Sequence, residues 1–178
     1  MQKEVLNTSV PDPKPAENSL PQPKILVIGS AAIDVTAQAR PSTGSVLHTT
    51  VPGSVQFTPG GVARNIAECA TRLSNPNEVV LLSAIGTRMA SEQQTTPDTF
   101  GSILQAEMDG SGMRTDGLIP RQAGTSSTAV CNLILGNDGG LIAGIADMDI
   151  AETITVDEVR GAEFSTRTCQ LITLELTR

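Results

Sequence analysis

Two apolar runs punctuated by glycine frame the chain: Lys24-Ile25-Leu26-Val27-Ile28-Gly29 and Glu78-Val79-Val80-Leu81-Leu82-Ser83-Ala84-Ile85-Gly86. Apolar runs without polar alternation fit central strands buried on both faces. Between them Val62, Ile66, Cys69, Ala70 and Leu73 recur at helical spacing, which predicts an amphipathic helix opening directly behind Gly60-Gly61. Strand, helix, strand in that order predicts a parallel, right-handed crossover.

The remaining pattern extends this α/β reading. Val35 to Thr58 mixes Pro41, Gly44, Pro52 and Gly53 with β-formers around Val46–Val51 and Val55–Phe57, as expected of short, partly exposed strands leaving the main sheet, with His48 as a surface strand residue. Residues 87–97 are polar and breaker-rich and are expected to form a loop. Phe100, Ile103, Leu104 and Met108 then share one helical face from Asp98 to Met108, with Asp98 or Thr99 as cap and Gly110 and Gly112 as terminators. Ala129–Leu135 and Leu141–Ile145 flank Gly136-Asn137-Asp138-Gly139-Gly140, the signature of a β-hairpin. Thr155-Val156-Asp157-Glu158 is a capping box that opens a short helix toward Phe164, and Cys169–Glu175 reads as a further buried strand.

Residues 1–23 carry Pro11, Pro13, Pro15, Pro21 and Pro23 among polar residues and are expected to be a disordered leader or interdomain linker. The 178 residues otherwise suit one domain, residues 24–178. The net charge of -7, with no basic run, argues against duplex nucleic acid as a partner. Phe57, Phe100 and Phe164 are the only aromatics, so base-stacking platforms and a membrane-interface belt are missing, and the core must be aliphatic. No segment approaches a membrane span or a signal-peptide core. Cys69, Cys131 and Cys169 are odd in number, widely spaced and set in apolar runs, which suggests reduced structural thiols and a cytoplasmic location.

Candidate chemistry gathers where strands end. Gly60 and Gly61 remove the Cβ atoms that keep a ligand off a helix N-terminus, where free N–H groups form a weak positive pole; Asn65 follows one turn in. A polyol or an anion could lie there, although a Gly-rich turn before a core helix has the same pattern. Asp34 leaves the first strand's C-terminal end, the edge at which open α/β sheets bind ligands, either as an acceptor for substrate hydroxyls or as a turn or cap aspartate. Glu175 falls at the same edge. Neither a dinucleotide fingerprint nor a Walker lysine follows Gly29. Asp147-Met148-Asp149 lacks an EF-hand pattern and is expected to be a solvated turn.

Taken together, Val27-Ile28-Gly29-Ser30 with Ile33-Asp34, Gly60-Gly61 with Asn65, Ser83-Ala84-Ile85-Gly86, Phe100-Gly101, the Thr125-to-Ile145 hairpin and Leu174-Glu175 resemble the amino-terminal part of a ribokinase-like (PfkB) carbohydrate kinase. Pro59 to Ala67, Thr125-Ser126-Ser127 and Ala146 to Ile150 are most similar to the pseudouridine kinases within it. The resemblance implies a parallel sheet flanked by helices with a small β-sheet lid, truncated before the nucleotide-binding half. It implies ATP and Mg2+ as cofactors of the full-length family and a small nucleoside or sugar as substrate, phosphorylated on the 5'-hydroxyl. Asp34 would hold two sugar hydroxyls. Gly60, Gly61 and Asn65 would bind the ribose, Glu175 would contact the sugar, and Thr125 and Ser126 would face the base from the lid. In fungi such a domain follows a pseudouridine-5'-phosphate glycosidase, which would make residues 1–23 the linker.

The sequence departs from that pattern in two places. It contains no Gly-Ala-Gly-Asp motif, whose glycines and aspartate serve phosphoryl transfer in the family, and residues 87–97 replace the short acidic turn usual after Gly86. A substrate-binding portion inactive by itself is therefore expected, with a non-catalytic nucleoside- or sugar-binding module, or an unrelated doubly wound domain, as the alternatives. An apolar sheet edge beyond Glu175, or the lid, is expected to promote self-association.

Overall fold

The computed structural model describes residues 21–41 and 48–161, and the backbone of residues 170–173. Its main sheet has four parallel strands in the order β10-β1-β4-β7: β1 Ile25–Ile28, β4 Val79–Ile85, β7 Leu118–Pro120 and β10 Gln170–Thr173. Every residue of β4 is buried, as its uninterrupted apolar run predicts. Alternate side chains serve opposite faces. Val79, Leu81 and Ile85 meet Val27, Leu104 and Met108 in the larger core, whereas Val80 and Leu82 join Leu26 and the half-buried Val159 on the other side.

Helices α1 (Val62–Leu73) and α2 (Thr99–Gly110) cover the first face, and α3 (Val156–Gly161) contributes Val159 to the second. The expected stripe on α1 is corrected by about a third of a turn. Val62 is 54% and Leu73 83% exposed, and Cys69 is exposed as well, while Ala63, Arg64, Ala67 and Thr71 are buried. Only Ile66 and Ala70 of that stripe reach the core. Ala63, Ala67 and Thr71 are small enough to bring the helix close against β1 and β4, and Thr71 ties its hydroxyl to the Ala67 carbonyl at 2.8 Å.

A second sheet, in the order β3-β2-β8-β9, forms the lid: β2 Ala32–Ala39, β3 Gly53–Gly60, β8 Val130–Leu135 and β9 Leu141–Asp147. Here β2 and β8 run parallel and the outer strands antiparallel, and the predicted β8–β9 hairpin turns through Gly139 at φ 81. Phe57 on β3 leans on Phe100 of α2, with ring centroids 6.3 Å apart. Asp34 lies inside β2, so it is a lid-strand residue and neither a turn nor a cap aspartate.

Residues 87–97 are not a loop. They form an antiparallel hairpin, β5 Thr87–Ser91 with β6 Gln94–Pro97, whose mostly exposed residues give no apolar alternation from which to read a strand. His48 is exposed but sits at φ 59 in a turn, not in a strand. The α2 cap is Asp98, and the α3 capping box is complete: Glu158 N–H donates to Thr155 Oγ1 at 3.2 Å and Thr155 N–H to Glu158 Oε2 at 2.8 Å. The expected run through 42–47, the body of the leader, Phe164, Cys169 and Glu175 lie outside the described residues.

Candidate functional site

At the C-terminal end of β1, beside that of β4, the chain crosses from the main sheet into the lid. Ala31 N–H donates to Ser83 Oγ at 3.0 Å, which fixes the crossover, and β2 starts one residue later. Ala32, Ala84, Ala129 and Ile150 pack there as a seam of mostly small side chains, so lid and sheet meet closely.

Asp34 stands two residues along β2, beside Thr58 of β3 and Cys131 of β8. Its half-buried carboxylate lies directly over Gly60: a Cβ at position 60 would sit 2.4 Å from Oδ2 and 2.6 Å from Cγ. Among the described residues this carboxylate has no hydrogen-bond or ion-pair partner. A carboxylate only accepts hydrogen bonds, so both Asp34 oxygens are available as acceptors at this corner. Burial pushes the Cys131 thiol up, and the Asp34 charge alongside adds to that shift, so the thiol stays protonated next to the site.

Gly61 precedes α1 at φ 91, and a Cβ there would lie 2.5 Å from the Ser30 carbonyl oxygen and 2.8 Å from Ala31 Cα. Glycine is required on both counts, conformation and space. Asn65 is exposed in the first turn of α1, and its Oδ1 accepts from Arg64 Nη2. The structure thus gathers Asp34, Gly60, Gly61 and Asn65 at one corner formed by β2, β3 and α1.

Arg64 escaped the sequence reading. Only 5% exposed, it also donates through Nε to the Gly60 carbonyl at 3.2 Å and through Nη1 to Glu68 at 2.6 Å. Glu68 is held in turn by Arg72 at 2.6 Å, and Arg72 first, then Arg64, keep its carboxyl below the usual range. Charges of alternating sign at 64, 68 and 72 were the available signal, one helical turn apart.

Thr125 and Ser126 lie elsewhere, in the segment between β7 and β8. They line a cavity of about 730 Å³ with Thr87, Arg88 and Met89 from the β5–β6 hairpin and the exposed Asp147 and Asp149. Thr125 spends its hydroxyl on the Gln122 carbonyl at 2.7 Å, whereas no partner for Ser126 is found among the described residues. An adjoining cavity of about 530 Å³, between the lid and α2, shares Asp98, Ser127 and Asp147 with it. The two groups are related through the lid: Asp34 pairs with Cys131, and Cys131 with Ala146, the neighbour of Asp147. Two strand spacings separate Asp34 from Ala146, roughly 10 Å.

Asp98 binds these parts together. Its carboxylate accepts from Gly101 N–H at 2.7 Å, from Thr128 N–H at 2.8 Å and from the Thr128 hydroxyl at 2.8 Å; its own N–H donates to the Gly86 carbonyl at 2.9 Å. One residue therefore joins the end of β4 through its backbone N–H, and the start of α2 and the root of β8 through its carboxylate.

Residues 22–164 match the model of the pfkB family carbohydrate kinases. The chain belongs to this family. It is 30% identical over 151 residues to the pseudouridine kinase of Arabidopsis thaliana, an alignment covering 84% of this chain and 35% of that protein. With the pseudouridine kinase of Escherichia coli K12 it shares 33% identity over 135 residues, 75% of this chain and 37% of the other. It therefore spans little more than a third of the length of these relatives. The ribokinase of Giardia lamblia superposes with a TM-score of 0.59 at 19% identity, over 78% of this chain and 40% of that one, which establishes the ribokinase-like fold. PfkB kinases use ATP. Among the described residues no group of three or more His, Cys, Asp or Glu side chains could hold a metal ion. Nor is any helix among them long and apolar enough to cross a membrane.

Proposed function

We propose that these residues form the substrate-recognising portion of an ATP-dependent nucleoside kinase acting on the 5'-hydroxyl of pseudouridine. The Asp34 carboxylate over Gly60, without a hydrogen-bond or ion-pair partner among the described residues, carries this reading. An ionised carboxylate only accepts, and with both oxygens open it suits the paired hydroxyls of a ribose. Gly60 and Gly61 leave room for the sugar to approach the backbone, and Asn65 closes the third side.

The base would then extend along the Asp34, Cys131, Ala146 row toward the cavity of Thr125, Ser126, Asp147 and Asp149. That cavity is rich in acceptors, and pseudouridine offers two ring N–H groups where uridine offers one. The lid over the sugar excludes water, which competes as phosphoryl acceptor. Free Cys69 and Cys131 support a cytoplasmic setting. Exposed Val55, Phe57, Ile134 and Ile145 support self-association through the lid, which sedimentation of the chain reads directly.

Calorimetric titration of the chain with pseudouridine, uridine and ribose, without ATP, tests the reading. Saturable binding that favours pseudouridine and disappears in Asp34→Ala is expected. A folded chain that binds none of the three refutes it.

A further inference from the structure

The buried guanidinium of Arg64 has a consequence for Asn65 that follows from donor and acceptor chemistry alone. A guanidinium carries five N–H donors and no acceptor. The carboxamide of Asn65 can therefore meet it only with Oδ1, which fixes which way round the amide sits. Nδ2 has no partner among the described residues, so both of its hydrogens stay available to a ligand. The same rigid, planar fork holds the Gly60 carbonyl through Nε at 3.2 Å, so the two contacts set the Gly60 carbonyl and the Asn65 amide relative to each other. Behind it, Glu68 takes Nη1 at 2.6 Å and is itself anchored by Arg72 through Nη2 at 2.6 Å and Nε at 3.0 Å. Arg64 is 5% exposed, which makes this a seated group and not a wandering surface cation.

We propose that Arg64 is a positioning residue that makes Asn65 a dedicated donor toward the substrate, opposite the dedicated acceptor Asp34. The polarity claim rests on the nucleoside-kinase reading for the identity of the substrate, but the orientation of Asn65 does not. A ligand hydroxyl in this corner gives its O–H to Asp34 and accepts on oxygen from Asn65 Nδ2. Both roles demand a hydroxyl. An ether oxygen or a carbonyl can use Asn65 but not Asp34, and an ammonium can use Asp34 but not Asn65. The corner thus selects polyols over amino sugars bearing the ammonium at that position.

The test uses the whole chain, labelled with nitrogen-15, and reads the Asn65 side-chain amide by nuclear magnetic resonance together with pseudouridine affinity by calorimetry. In the wild type the Asn65 amide protons are expected away from random-coil positions. In Arg64→Lys, which keeps the charge but cannot fork, they are expected to collapse toward them. Affinity should fall at least about tenfold, as for loss of one oriented hydrogen bond. Glu68→Gln, which loosens Arg64 from behind, should give a partial collapse and serves if Arg64→Lys does not fold. A wild-type amide already at random-coil positions, or one unchanged in the variants, overturns the proposal. Collapse of the amide in a chain whose wild type binds no nucleoside would leave the positioning role standing and remove the kinase substrate from it.

Discussion

Two adjacent glycines in this chain are required for different reasons, and replacing each by alanine should separate them. Gly61→Ala places a Cβ on a backbone at φ 91 and ψ 128, outside the regions open to L-residues, a strain of about 1–3 kcal/mol. The same Cβ would lie 2.5 Å from the Ser30 carbonyl oxygen and 2.8 Å from Ala31 Cα. Both are backbone atoms of the crossover, so relief means moving β2 against α1, an overpacking penalty of about 1–3 kcal/mol more. The sum, about 2–6 kcal/mol, is a large part of an ordinary domain's stability. With a urea dependence of about 2 kcal/mol per molar, a mid-range loss of about 4 kcal/mol lowers the unfolding midpoint by about 2 M. Gly60→Ala differs. Its Cβ would meet Asp34 Oδ2 at 2.4 Å, a side-chain atom that can swing away, so the expected stability loss is nearer 1 kcal/mol. Nucleoside binding, which needs that carboxylate in place, should be lost. Urea titration of both variants beside calorimetry decides the matter. An unchanged midpoint for Gly61→Ala, or equal midpoint losses for the two, would refute the reasoning.

Further outcomes follow from single contacts. Asp98→Ala removes the α2 cap and strands the Thr128 N–H, for an expected loss of about 2–4 kcal/mol by urea titration, with Asp98→Asn retaining part of it. Glu158, bonded first by Arg121 and then by Thr155, has its pKa lowered from 4.5 to about 2. As pH falls the unfolded chain takes up this proton first, so its stabilisation is complete above about pH 5 and is lost as pH drops toward 2. With the side chain 31% exposed, screening limits that contribution to about 1 kcal/mol, and Glu158→Gln should flatten this limb in thermal melts across pH. Cys131 should alkylate slowly at neutral pH, and Asp34→Asn should speed it by removing the neighbouring charge, read by peptide mass mapping.

Three strands of the main sheet, β1, β4 and β10, were legible from short unbroken apolar runs that fit burial on both faces; the fourth, β7, is only three residues long, Leu118–Pro120, and left no such run to read. The hairpin of the lid was legible from its Asn-Asp-Gly turn. The inner face of α1 was not, because periodicity favours large apolar residues, and here the close approach to the sheet is made by Ala63, Ala67 and Thr71. Arg64 was hidden for a related reason: a buried cation is recognised by its partners, and two of them, the Gly60 carbonyl and the Asn65 amide, carry no charge to read in the sequence. In the strand ladder residues 87–97 pair only with each other, and apart from Thr87 they bury little, so backbone hydrogen bonds, which leave no apolar imprint, decide their structure. In the site, Asp34, Gly60, Gly61 and Asn65 converge because one strand pair and one helix start bring them together. That Thr125 and Ser126 line a separate cavity depends on the β5–β6 hairpin standing beside the segment between β7 and β8, a neighbourhood that spacing along the chain does not encode.

The hairpin at 87–97 leaves and re-enters the body at a single point, since Gly86 and Asp98 are bonded to each other at 2.9 Å. A detour closed in this way is a natural splice site. Its tip at Glu92-Gln93 can lengthen, shorten or carry an inserted domain while β4 and α2 keep their join. Because Thr87, Arg88 and Met89 also wall the 730 Å³ cavity, such length changes would reshape its mouth and leave the Asp34 corner alone. The chain can thus change the shape of that cavity by insertion and deletion alone, without a substitution anywhere in the core.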